Sequence, residues 1–225
     1  IGTFVIAVLR CFGIKIETVS LVSSGNNIPF TLILISFFIG MLIYGLYLNN
    51  WTMKGFNELL KQSGKAATDF VLLSGFGLTL INMALLGIIS TLYVIMVGGE
   101  LSGPVIGGIL TVVGFGAYGK HVRNIIPIII GVSIVGCFSF HDVSSTPILL
   151  AALFGTTLAP VSGAYGPLAG IIAGGFHVAM VLNISYMHAG MNLYNNGFSG
   201  GFVAAMLVPL FDDLKGLGRK HLQRT

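Results

Sequence analysis

Residues 28–48 carry no charged side chain, and this run constrains the fold more than any other feature. At 1.5 Å per residue its helix is about 32 Å long, close to the thickness of a bilayer's hydrocarbon core. Such a segment belongs in lipid or in the core of a large protein. Charge decides between them, because only 8% of the 225 residues are Asp, Glu, Lys or Arg, about a third of the share in a soluble domain. That is too little polar surface to cover a water-facing globule. The expected fold is all-α and integral to the membrane, one polytopic domain over residues 1–225, with the lipid bilayer as its first partner.

The net charge of +4 is not a nucleic-acid signal, since the basic residues cluster between apolar runs, where they set membrane orientation. Residues 49–65 interleave Trp51, Phe56, Leu59 and Leu60 with Lys54, Glu58, Lys61 and Lys65, which predicts a cytoplasmic interfacial helix. Solvated pairing with Lys61 or Lys65 is expected for Glu58 and Asp69. Residues 68–97 are too long for one upright span and predict a short half-helix followed by a full one. Residues 104–119 and 125–138 are short for a crossing and predict tilted or half-crossing helices. His141 and Asp142 fall in a loop without Lys or Arg, which places it opposite Lys120 and Arg123.

Residues 146–160 are another short apolar piece. A second full span is predicted for residues 163–184, where Gly166, Gly170 and Gly174 recur every four residues and offer a flat stripe for close helix contact. Residues 212–225 form a basic tail, expected to be cytoplasmic. Arg10 and Lys15 fit this topology poorly. Cys11 and Cys137 suggest no disulfide framework and are expected to be small buried hydrophobes.

Polar groups concentrate in residues 188–201, where His188, Asn192, Tyr194, Asn195, Asn196 and Ser199 stand among four glycines. Glycines there are expected to break or bend a helix and free its backbone, which in lipid must be buried in protein or face water. The alternative is a surface turn at Asn195-Asn196-Gly197. His177 and His188 are eleven residues apart, about three helical turns, so one helix through both would align them on one face. His177 could equally bond a neighbouring backbone carbonyl. A neutral imidazole both donates and accepts, so a face carrying His177, His188 and Asn192 could hold a hydrogen-bonding solute.

Asn82-Met-Ala-Leu-Leu-Gly87 and Asn196-Gly-Phe-Ser-Gly-Gly201 share an Asn-x4-Gly form. Paired interruptions of this kind mark binding sites in repeat-built transporters, so an inverted repeat is expected to bring Asn82 and Asn196 to a shared cavity. The string is similar to the Asn-Gly-x-Leu-Val-Gly element of urea channels, although their Leu-Pro-x-x-Thr-x-Pro-Phe element has no clean counterpart here. Residues 77–87, 103–108, 114–121 and 188–201 together resemble a bacterial family of polytopic membrane proteins defined only as a domain of unknown function. That resemblance implies a bacterial plasma membrane and a tandem of two related halves, of which this chain looks like the C-terminal one. It implies no substrate.

Gly197-Phe198-Ser199-Gly200 and His188-x-x-x-Asn192 resemble strings of rhomboid intramembrane proteases, which would make Ser199 a nucleophile with His188 as its base. The order argues against this, since only His221 follows Ser199. A non-transporting scaffold is the further alternative. No Cys/His cluster has metal spacing and no phosphate-cradling loop is present, so no metal, cofactor or catalytic residue is expected. The expected function is a channel or transporter, not an enzyme. Its small polar solute, neutral or weakly ionised, would pass His188, Asn192, Asn195, Asn196, Asn82 and His177. Homo-oligomerisation stays open.

Overall fold

The computed structural model describes residues 27–65, 68–139, 142–184 and 192–222, and these are all-helical. The helices are α1 (Asn27–Leu48), α2 (Phe56–Lys61), α3 (Phe70–Ser74), α4 (Phe76–Met96), α5 (Gly103–Gly114), α6 (Val122–Cys137), α7 (Thr146–Gly155), α8 (Ala159–Tyr165), α9 (Pro167–Ile184) and α10 (Asn192–Leu222), with 3-10 turns at Phe115–Ala117 and Thr156–Leu158. Among the described residues five stretches are long and apolar enough to cross a membrane: Ile28–Leu48, Phe76–Met96, Thr146–Tyr165, Pro167–Ile184 and Asn195–Gly216. The α5 and α6 helices are shorter and run beside them.

The half-helix expected before the second span is α3. Asp69 caps it, accepting from Val71 N at 2.8 Å and Leu72 N at 3.1 Å, and so is not the solvated partner of a lysine. Glu58 does pair with Lys61, at 2.6 Å. Gly75 separates α3 from α4 at φ +84°, a left-handed conformation that costs glycine little. The interfacial helix of residues 49–65 is shorter than expected, because only Phe56–Lys61 is helical. After α1 the chain instead makes a turn in which Trp51 N bonds Leu46 O at 2.7 Å.

Helix α1 packs antiparallel on α4. Gly45 lies where an added Cβ would meet Ile81 N at 2.9 Å, and Gly87 receives the ring of Phe38. The most extensive pairing joins α6 and α9, which run parallel. There a Cβ on Gly131 would collide with Ile171 O, and one on Gly174 with Ile128 O. Small residues let backbones approach when lipid offers no hydrophobic drive for association. The glycine stripe therefore acts as expected at Gly170 and Gly174. Gly166 does not belong to it: at φ +96° it turns the chain from α8 into α9, which moves the start of the predicted 163–184 span.

Contacts between distant stretches define one end of the bundle. His121 Nε2 donates to Gln62 O at 2.8 Å, Lys65 Nζ donates to Tyr165 Oη at 3.3 Å, and Tyr165 Oη donates to Asp212 Oδ1 at 2.7 Å. Lys61, Lys65, Arg123 and Lys215 share this end. Asp142 lies across the bundle from it, beyond the far end of α6. The buried core gathers Phe38, Leu86, Val94, Ile109, Ile125 and Leu153 from α1, α4, α5, α6 and α7.

Large apolar side chains cover the outside, with Leu72, Met96 and Phe138 each more than 80% exposed. A surface of this kind suits lipid, not water. Cys137 is exposed as well, contrary to the expected buried role, because it sits at the end of α6. Cys11, Arg10, Lys15 and His141 lie outside the described residues.

Candidate functional site

The site starts from the loop between α5 and α6. Its backbone is held from two sides. Asn82 Nδ2 of α4 donates to Gly116 O and to Lys120 O, both at 2.8 Å, and Asn124 Nδ2 of α6 donates to Gly119 O at 2.9 Å. Asn124 Oδ1 accepts from His121 N at 2.9 Å. These bonds pair backbone groups of the loop that no regular helix satisfies. The loop's polar side chains are buried together with Asn124: Lys120, His121 and Asn124 are 7%, 1% and 1% exposed, while Phe115 and Tyr118 face outward.

Lys120 turns inward. Its Nζ donates to Thr156 Oγ1 at 2.8 Å and lies 4.8 Å from the centroid of the Phe115 ring. Thr156 is available because Pro160, at the start of α8, has no N–H to carry a regular helix through that point. The chain tightens into the Thr156–Leu158 3-10 turn, and Thr156 Oγ1 donates to Leu153 O at 2.6 Å. Among the described residues no carboxylate lies within ion-pair distance of Lys120. Burial pushes the Lys120 ammonium down to about 7.

Helix α10 supplies the opposite wall. Asn196 is 1% exposed, and its Oδ1 accepts from His177 Nε2 of α9 at 3.1 Å. Gly200 lets α10 approach the 156–158 turn, since a Cβ there would meet Thr157 Cγ2 at 2.6 Å. Asn195 and Ser199, one helical turn apart, are buried, and both amide atoms of Asn195 and Ser199 Oγ have no hydrogen-bond partner among the described residues. A cavity of about 110 Å³ separates the two walls, lined by Thr111, Phe115, Lys120, Phe154, Thr157, Asn196 and Gly197.

A second cavity of about 260 Å³ opens at the basic end, where His121, Arg123, Asn124, Gln62 and Ser162 line it. Burial pushes the His121 imidazole below its usual range; the hydrogen bond to Gln62 works against this, and the Arg123 charge works with it.

At its described glycines, Gly197, Gly200 and Gly201, the polar stretch of residues 188–201 does not break a helix, and Gly190 lies outside the described residues. Asn195 to Gly201 lie inside α10, and Asn82 to Gly87 inside α4. The reason is packing: Gly87 and Gly200 admit Phe38 and Thr157, so their lack of a side chain serves contact between helices and not a bend. The irregular backbone falls instead at residues 115–121 and 156–158. Asn82 and Asn196 do not bond each other. Both converge on Lys120, one through its backbone and the other across the cavity.

His177 meets Asn196 and not a backbone carbonyl. Asn192 opens α10, but its side chain, like all of His188, lies outside the described residues. Sequence reasoning took Lys120 for an orientation-setting charge and overlooked Thr156. The available signal was the shortness of residues 104–119, which draws the following lysine into the bundle.

The chain belongs to the DUF1576 family. The model of this family, described as a protein of unknown function, matches residues 48–213. The match begins at the end of α1, so the DUF1576 region contains every described residue of both cavities. No curated protein and no solved structure matches the chain.

Proposed function

We propose that the protein is a channel or transporter of the bacterial plasma membrane that passes a small polar solute, neutral or weakly ionised. The supporting observation is Asn195 on α10, buried with neither side-chain amide atom partnered among the described residues, and next in sequence to Asn196 and Gly197 of the cavity wall. Each such atom costs roughly 1–3 kcal/mol if left dry. A membrane anchor has no use for that cost, whereas a wetted path needs groups that exchange water for solute.

The path runs from the cavity at the basic end, past the loop that Asn82 holds, to Asn196 and His177, and on toward Asn192 and His188. The basic end faces the cytoplasm, as the bias of Lys and Arg favours. Lipid and solute are the partners, and the passage needs no cofactor. Ser199 Oγ has no base within hydrogen-bond distance among the described residues, so nothing there supports a nucleophile.

Proteoliposome flux tests the reading with urea, small amides, ammonium and short carboxylic acids. Asn196→Leu is expected to fold and to lower flux about tenfold to a hundredfold, the equivalent of one lost hydrogen bond in a dry site. Ser199→Ala is expected to change it little. Absence of protein-dependent flux for the whole panel sinks the proposal.

A further inference from the structure

Among the described residues no carboxylate neutralises the Lys120 amine. Helices α4, α5 and α7 contain no Asp, Glu, Lys, Arg or His, and α9 brings only His177, which is engaged with Asn196. The acidic residues of α10 are Asp212 and Asp213, at the basic end beside Tyr165. On its own segment, His121 points to Gln62 O and Arg123 is exposed. An ammonium has three donors. One goes to Thr156, and the other two have no acceptor among the described residues.

The cavity beside this amine has two chemistries. Thr111, Thr157 and Asn196 give it hydroxyl and amide groups, while Phe115 and Phe154 give it aromatic wall. A bare halide would use the first and leave the second dry. An anion with a short alkyl body uses both.

We infer that this cavity binds a short monocarboxylate, its carboxylate on Lys120 Nζ and its alkyl end against Phe115 and Phe154. The inference rests on the transport reading above and narrows its solute to a weak acid, held at this cavity as its anion. A bound carboxylate completes the ion pair that the chain omits, and it holds Lys120 protonated. Binding above the range where the free amine titrates therefore draws in one proton.

Isothermal titration of the full chain in lipid nanodiscs at pH 8 tests this, with sodium propionate against sodium chloride at equal ionic strength. Two buffers of different ionisation enthalpy report the proton. Saturable propionate binding with uptake approaching one proton is expected, chloride competing poorly. Lys120→Met is expected to weaken binding on the order of tenfold to a hundredfold, and Lys65→Gln, a lysine at the same end that does not line the cavity, to leave it unchanged.

Propionate heats equal to those of chloride, or binding that survives Lys120→Met, overturns the proposal. Should Lys120→Met fail to fold, the unmodified chain decides: a propionate affinity that stays constant from about pH 6 to about pH 11, through the titration of the amine, overturns it instead. Propionate binding without flux overturns the transport reading and keeps the site, whereas flux of uncharged amides without propionate binding does the reverse.

Discussion

Lys120 and Asn82 meet through a backbone carbonyl, and each is exposed to a separate test. A lysine held down to about 7 in the fold and near 10.4 when unfolded binds fewer protons folded than unfolded between those values. Stability therefore rises with pH across that window, and the full penalty remains below it. In an anion-free buffer the apparent Tm is expected to climb from pH 6.5 to pH 9. Lys120→Met is expected to flatten the curve and to raise its low-pH arm; a parallel slope in the variant counts against an uncompensated charge. Asn82→Leu removes both bonds to the loop and strands Gly116 O and Lys120 O, at roughly 1–3 kcal/mol each. The expected result is a large fall in Tm together with faster hydrogen exchange across residues 116–124.

Among the helices, the seam of α6 and α9 is the tightest. Gly131→Leu or Gly174→Leu is expected to abolish a monodisperse fold, because a backbone carbonyl stands where the first side-chain carbon would be. Gly40→Leu on α1, with open space around it, is expected to be neutral by size-exclusion profile. The glycine spacing made this seam legible in the sequence, as unbroken apolar length did for α1 and α4. Residues 197–201 were misleading for the same reason. Glycine marks a bend and a tight contact alike, and only the partner, Thr157 in the case of Gly200, tells them apart. The inward turn of Lys120 was hidden because a basic residue after a short span looks the same whether it meets phosphate or Thr156.

Across the whole molecule, Lys61, Lys65, Arg123 and Lys215 gather at one end, as basic residues between apolar runs are expected to do. Single cysteines at Lys54 and Asp142, in a background without Cys11 and Cys137, test the orientation in intact cells. Only the cysteine at position 142 is expected to react with an impermeant maleimide from outside. The reverse labelling pattern would turn the bundle over.

The parallel seam of α6 and α9 also has a bearing on biosynthesis. Parallel neighbours cannot be consecutive in the chain, and here α7 and α8 must be made and threaded between them. While the ribosome works through that stretch, Gly131 has no partner backbone, and His177 later waits in the same way for Asn196. The translocon or a lipid chaperone must hold these helices in the meantime. Nascent chains arrested after α8 are therefore expected to be degraded or retained, and those arrested after α10 released. A force-profile scan along the message would show one late pull as α10 enters, not a steady series of small ones.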